Sequence, residues 1–282
     1  MKKLFFILIV LTFLVIPLAI TRASVPAQVG TPIKILLVPG HDNEIWGAQY
    51  GNVKEAAMNR AVARRIYDIL RKDKRFEVYI TRDQSGYKKE FADYFSDKKD
   101  EIIAFKEDAK KEMQAKIEKG DFIEKEIVDH NVATTNTAII LYGINKWADE
   151  HKMDAVIHIH FNDLPRKNKW TIGNYNGFAV YAPDDQLRNW KKSGELATDI
   201  FNQLRKKYSI STYDKEFGGM ILDQKLIALG SNDTLPTNVR SVLIEYGYIY
   251  EKKFRNYTTR HQAYSNMSKL TATGIKNYFF AK

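Results

Sequence analysis

Cysteine is absent from the 282-residue chain. Its absence excludes disulfide bridges and thiolate metal sites and is compatible with export. No internal repeat is visible, so nothing points to a stacked-repeat architecture. An uninterrupted apolar run of comfortable membrane-spanning length is missing too. The nearest approach, Leu4 to Ile20, contains Thr12 and Pro17 and falls slightly short. Lys2 and Lys3 precede it, and Thr21, Arg22, Ala23 and Ser24 follow. A short positive segment, an apolar core and then small residues read as a secretory signal, with cleavage expected after Ala23. An uncleaved single anchor over residues 1–23 is the alternative. A buried helix is disfavoured, because the run has no polar face.

What is present is ordinary for a soluble globular protein: 44% hydrophobic and 28% charged residues. The length suits one enzyme-sized domain. The formal net charge is +10, and loss of residues 1–23 would remove only Lys2, Lys3 and Arg22 from it. A basic surface favours adsorption to anionic polymers: nucleic acid, anionic lipid, or a cell wall carrying carboxylates and phosphates. Export makes the wall the natural choice and nucleic acid not a partner; solubility alone is the plainer account of the charge.

Pro26, Gly30 and Pro32 mark residues 24–32 as a linker. Ile33 to Val38 is an apolar run bounded by turn residues and predicts a buried strand. A helix is expected from about Asn52 to Lys72, then a strand from Phe76 to Thr81. Residues 86–135 differ in character, being rich in Lys, Glu and Asp, with Phe91, Tyr94, Phe95, Ile102, Ile103 and Phe105 spaced as on amphipathic helices. They read as an inserted helical segment, either a solvated arm or a lid over the active site. A core helix over 136–150 and a buried strand over Asp154 to His160 follow. Further strands are expected at 177–181, 226–229 and 241–245, and helices at 193–206 and 261–279. Strands alternating with helices predict an α/β fold over residues 33–282: a mostly parallel central sheet with helices on both faces, plus the insertion.

Three of these strands end in ionisable groups, His41, His160 and Glu245. The carboxyl ends of parallel strands form the ligand crevice of such sheets. Zinc accepts imidazole nitrogen and carboxylate oxygen, and a catalytic site uses three protein ligands. Each residue also has a plainer account. His41 could simply follow a Pro-Gly turn. Glu55, three residues after Asn52, fits a capping box. His158 and His160 share one sheet face and need polar partners. A carboxylate such as Glu245 at the end of a buried strand must be paired or functional.

The ordered set is more specific than its pieces. Pro39-Gly40-His41, Gly47-Ala48, Glu55, Thr81-Arg82, Ile157-His158-Ile159-His160-Phe161-Asn162 and Leu243-Ile244-Glu245-Tyr246-Gly247-Tyr248 together resemble the amidase type 3 family. These are zinc N-acetylmuramoyl-L-alanine amidases. Ala148-Asp149, Met153-Asp154 and the stretch from Gly177 to Tyr181 add smaller matches, and the resemblance spans residue 33 to about 280 outside the insertion. It implies zinc held by His41, Glu55 and His160, with Glu245 as the catalytic acid and base. There are departures. His158 stands where the family usually has Ser, Phe161 where a small residue is usual, and Tyr248 where Phe is usual. Asp42 and Asn43 replace glycines, and the segment between Arg82 and residue 145 is longer by roughly forty to fifty residues.

The resemblance further implies peptidoglycan as substrate, cut at the amide between N-acetylmuramic acid and L-alanine. Some relatives carry a helix that covers the zinc until an activator displaces it. Residues 86–135 occupy a similar point in the chain, so an activator protein acting on them is expected, with Glu124, Glu126, Asp129 or His130 as a temporary fourth ligand. His158 is read as a group beside the ligands, a spare ligand or a transition-state donor, and is not counted among the expected zinc ligands. The rival readings are another zinc amide hydrolase of carboxypeptidase type, a non-catalytic wall-binding module, and a membrane-anchored structural protein. No separate wall-binding repeat is present, so targeting falls to the catalytic domain, its basic surface or a partner. The expected location is periplasm, cell wall or extracellular space.

Overall fold

The computed structural model describes residues 30–126, 128 and 133–281. The signal or anchor over 1–23, residues 24–29 of the linker, and Asp129 and His130 lie outside the described residues. The elements run β1 (Ile33–Pro39), β2 (Gln49–Tyr50), β3 (Val53–Lys54), α1 (Glu55–Leu70), β4 (Phe76–Ile80), α2 (Lys89–Asp97), α3 (Lys99–Lys119) and α4 (Thr135–Glu150). They continue with β5 (Ala155–Asn162), β6 (Ala179–Pro183), α5 (Trp190–Leu204), β7 (Met220–Asp223), β8 (Arg240–Tyr248), α6 (Lys252–Arg255) and α7 (Tyr257–Phe280).

Six strands form one sheet in the order β4-β1-β5-β8-β6-β7. The first four are mutually parallel, β6 is antiparallel to β8, and β7 is parallel to β6. The α/β expectation therefore holds, with a mixed, mostly parallel sheet. Alternation assigns the two faces. Ile35, Leu37, Ile157, Ile159, Val242 and Ile244 pack with Val62 and Ile66 of α1, Leu196 and Ile200 of α5, and Met267 and Ile275 of α7. Leu36, Val38 and Val156 face the other way, onto Ile144, Trp147 and Ala148 of α4 and Phe91 of α2. Full burial of one such side chain contributes about 1.5–3 kcal/mol, so both layers are anchored by several of them.

Two expectations need correction. Residues 226–229 are not a strand; Ile227–Leu229 is a 3-10 turn. Asp223 Oδ1 accepts the N–H groups of Lys225 (2.7 Å) and Leu226 (2.8 Å), which turns the chain before that apolar run can extend. The strand of this region is β7, hidden in the sequence behind Gly218-Gly219. The capping box from Asn52 is also absent. Helix α1 starts at Glu55, preceded by the β2–β3 hairpin, and Lys54 provides no side-chain cap. Its first donors go instead to loop carbonyls, Glu55 N–H to Ala48 (2.9 Å) and Ala56 N–H to Trp46 (3.0 Å).

The helices within 86–135 are part of the core. Phe91 is fully buried 4.7 Å from the Trp147 ring, and Ile102 packs with Ile139 and Tyr142. Helix α3 stops at Gly120, which adopts φ 76° and donates to Ile117 O. The chain then crosses back with Lys125 paired to Asp184 and Asp185, and Val128 buried beside Tyr181 and Leu243.

Candidate metal centre and active site

The site is built where β1, β5 and β8 end. Gly40 N–H donates to Ile159 O (2.9 Å), locking the end of β1 to β5. A Cβ at Gly40 would fall 2.1 Å from the His160 ring, so only glycine fits. His41 then takes φ 61°, a left-handed turn that is costly for a non-glycine residue. The turn is held by Arg82, which is 1% exposed. Its Nε donates to Pro39 O (3.0 Å), and its Nη2 to Gly40 O (2.6 Å) and Ala56 O (3.2 Å). Burial pushes the Arg82 guanidinium down to about 10, still charged at neutral pH.

Glu55 opens α1 at 3% exposure. Its Oε2 lies 3.1 Å from His41 Nε2 and accepts Ala48 N–H at 2.9 Å. Its Oε1 lies 3.1 Å from His160 Nδ1 and accepts from Asn59 Nδ2 (3.2 Å) and Phe161 N–H (3.2 Å). The two imidazole rings stand 5.1 Å apart at 72°, and one ligand atom from each of the three residues lies within 4.8 Å of the others. Burial opposes ionisation of Glu55, but the charge on His41 and the hydrogen bonds from His160 and His41 outweigh it and hold the carboxyl far below the usual carboxylate range. Burial also lowers His41, yet the Glu55 charge and hydrogen bond prevail and raise it. For His160 burial prevails over Glu55, and its pKa is lowered. A buried anion facing two imidazole nitrogens is a donor set that a zinc ion can bind, and the set fits a three-ligand catalytic site.

Glu245 pairs with His160 in the β5–β8 register. The residue is half-buried, and its Oε2 is sealed from solvent with no hydrogen-bond partner among the described residues. Burial, then the charges of Glu55 and Glu216, push its carboxyl well above the usual range. A carboxyl whose proton affinity is raised in this way is suited to accept a proton and give it back. His158, one alternation earlier on β5, is 1% exposed, and its Nε2 has no partner among the described residues. Burial, then His160, push it down to about 3, so it is neutral. It does not join the metal-ligating group. Glu124 and Glu126 are exposed and stand outside that group too.

One participant was not legible in the sequence. Glu216, in the 3-10 turn Asp214–Glu216, is 1% exposed. It accepts from Tyr181 Oη (2.5 Å), Asn162 Nδ2 (2.7 Å) and Tyr248 Oη (3.1 Å). In the sequence it sits in the charged stretch Asp214-Lys215-Glu216 before Phe-Gly-Gly and resembles any solvated loop; only the fold carries it under β6 and β8.

The CwlD amidase of Clostridioides difficile, solved in complex with the GerS lipoprotein, superposes with a TM-score of 0.57 at 17% identity, over 89% of this chain and 100% of that one. An N-acetylmuramoyl-L-alanine amidase of Clostridium difficile 630 gives 0.54 at 16%, over 90% and 100%. AmiC2 of Nostoc punctiforme, also an N-acetylmuramoyl-L-alanine amidase, gives 0.51 at 16%, over 89% and 99%. At these identities the likeness is one of fold. No curated protein matches the chain in sequence. The family model for N-acetylmuramoyl-L-alanine amidase matches residues 35–277, from β1 into α7. That span takes in every strand of the main sheet and all the residues gathered around Glu55, and so the chain belongs to the N-acetylmuramoyl-L-alanine amidase family, amidase type 3.

Proposed function

We propose that this chain is a zinc-dependent peptidoglycan hydrolase that cleaves the amide between N-acetylmuramic acid and L-alanine. The observation that carries the reading is the Glu55 carboxylate held between His41 Nε2 and His160 Nδ1 at 3.1 Å each, with Glu245 across the strand pair. His41, Glu55 and His160 would hold the zinc. Zinc in such a site supplies Lewis-acid chemistry, polarising a carbonyl and making water a stronger acid.

The remaining work falls to the chain's own groups. Glu245 takes the proton of the attacking water on its carboxylate and returns it to the nitrogen of the leaving L-alanine. Its sealed surroundings suit a group that must hold that proton between the two steps. Arg82 fixes the His41 turn, and Asn59 steadies Glu55 from inside α1. The products are a glycan strand and a free stem peptide.

The signal or anchor at residues 1–23 and the basic charge support an exported enzyme acting on the wall. Membrane contact is confined to that segment if it stays uncleaved, and nucleic acid is not a partner. The CwlD amidase is solved with a lipoprotein bound, which supports a protein activator here as well. Its target would be residues 86–135, of which Val128 packs beside Tyr181.

The test is release of L-alanine amino termini from purified peptidoglycan by the mature chain, with and without zinc, beside Glu245→Ala. Loss of an acid–base group should lower the rate by roughly 10²–10⁴-fold. Zinc-independent release, or full activity in Glu245→Ala, would overturn the mechanism.

A further inference from the structure

Glu216 buries a carboxylate without an ion pair among the described residues. Only neutral donors meet it: two phenols and one amide. Leaving a charge in such a place costs stability unless every lone pair is satisfied. The arrangement also dictates direction. Asn162 Nδ2 donates to Glu216 Oε1 at 2.7 Å, which fixes the end of the amide that faces Glu216.

Asn162 is two residues beyond His160 on β5, so both side chains leave the same sheet face, while Phe161 enters the opposite core against Tyr246, Phe254 and Tyr264. The register between β5 and β8 slips between His160 and Asn162, which pairs Asn162 with Tyr248. Tyr248 is the position where Phe is usual in the family, and its added hydroxyl is one of the three donors to Glu216. Asn162 is half-buried. Its Oδ1 receives no hydrogen bond among the described residues and is not one of the sealed atoms, so it is open to solvent two residues along β5 from His160.

We infer that Asn162, oriented by Glu216, is a substrate-positioning residue that offers Oδ1 as a fixed acceptor to a peptide N–H of the substrate. The inference rests on the amidase reading of the site and adds its polarity: on this side the wall accepts and does not donate. A stem peptide supplies backbone N–H groups next to the scissile amide, and an acceptor held in place meets one without first being ordered. Tyr181 and Tyr248, 2% and 0% exposed, stay behind the wall and touch Glu216 rather than substrate.

The experiment uses the zinc-loaded mature chain and a soluble muramoyl peptide. Glu216→Gln keeps the volume but can present its own NH2, which lets Asn162 turn over and point Nδ2 into the site. KM is expected to rise roughly three- to tenfold, the worth of one hydrogen bond, with kcat within about twofold and zinc content unchanged. Asn162→Ala should give the same rise, and adding Glu216→Gln to it should change nothing further. A KM unmoved by either variant, or a Glu216→Gln effect that persists undiminished in the Asn162→Ala background, overturns the inference. If Glu216→Gln does not fold, Asn162→Ala decides alone: a raised KM supports the inference and an unchanged KM overturns it. Failure of the unsubstituted, zinc-loaded chain to cleave at all would instead sink the amidase reading.

Discussion

Gly40→Ala should damage the candidate metal centre through one methyl group. The new Cβ would stand 2.1 Å from His160 Cε1 and Nε2, where ordinary contact begins at 3.4 Å. Relief requires a movement of roughly an ångström or more. The backbone of Gly40 cannot supply it, since its N–H is tied to Ile159 O at 2.9 Å and its carbonyl accepts from Arg82 (2.6 Å) and Asn59 (2.9 Å). The imidazole must yield, and its Nδ1 sits 3.1 Å from Glu55 Oε1. Overpacking of this kind costs about 1–3 kcal/mol, and misplacing a ligand ring should weaken zinc binding by 10–100-fold or more, the scale seen when ligand orientation is lost. Gly194→Ala is the matched control. Gly194 lies in α5 with nothing within 4 Å of an added Cβ, and the change should stabilise by about 0.5–1 kcal/mol. The assay is zinc affinity by competition with a chelator, alongside thermal unfolding of both variants. Wild-type affinity in Gly40→Ala would refute the close packing of β1 against His160.

Three further predictions concern charge. Arg82→Lys cannot reach Pro39 O, Gly40 O and Ala56 O from one head group. It should lose about 1.5–3 kcal/mol in denaturant unfolding and most activity; unchanged unfolding would show that the clamp is idle. For Glu245, the folded pKa lies well above the unfolded one, so the native state binds the extra proton and raising the pH destabilises it. In metal-free protein, Glu245→Gln should therefore be the more stable form. The gap should open as pH rises past the unfolded value of about 4.3, by at most about 1.4 kcal/mol per pH unit, and level off once native Glu245 ionises. A gap that shrinks with rising pH would reverse the assignment. Zinc at a hundredfold excess over Kd should add about 2.7 kcal/mol of stability, seen as a rise in Tm. Glu55→Gln should abolish that rise, and an equal rise in both proteins would place the metal elsewhere.

The strands that form the parallel part of the sheet were readable because each is a short apolar run closed by turn residues: Ile33 to Val38, Phe76 to Thr81 and Asp154 to His160. His41, Glu55 and His160 were nominated by residue type, position and family likeness, and the fold brings all three together. What failed depended on distance in space. Residues 226–229 were as apolar as a strand, yet Asp223 turns the chain first. Glu55 looked like a cap because three-residue spacing is all that a sequence shows; its carboxylate instead faces two histidines contributed from far along the chain. The acidic and basic residues of 86–135 suggested a solvated arm or a lid, whereas Phe91 and Ile102 make its helices part of the layer over α4.

The same limit explains Glu216, and its consequence reaches beyond one residue. Glu55, Glu216 and Glu245 are remote in sequence, and Glu55 and Glu216 each raise the proton affinity of Glu245. Three carboxyl groups gathered beside two imidazoles are a poor way to stabilise a fold, because each charged member loses hydration that only part of the network replaces. The fold supplies what it can: two histidines and three N–H donors for Glu55, and two phenols and an amide for Glu216. Glu245 Oε2 receives nothing from the described residues. The group left unsatisfied is thus the one whose proposed task is to gain and lose a proton, whereas the two that must stay fixed are tied down on every side. That division separates a site organised for proton transfer from a core that merely tolerates charge.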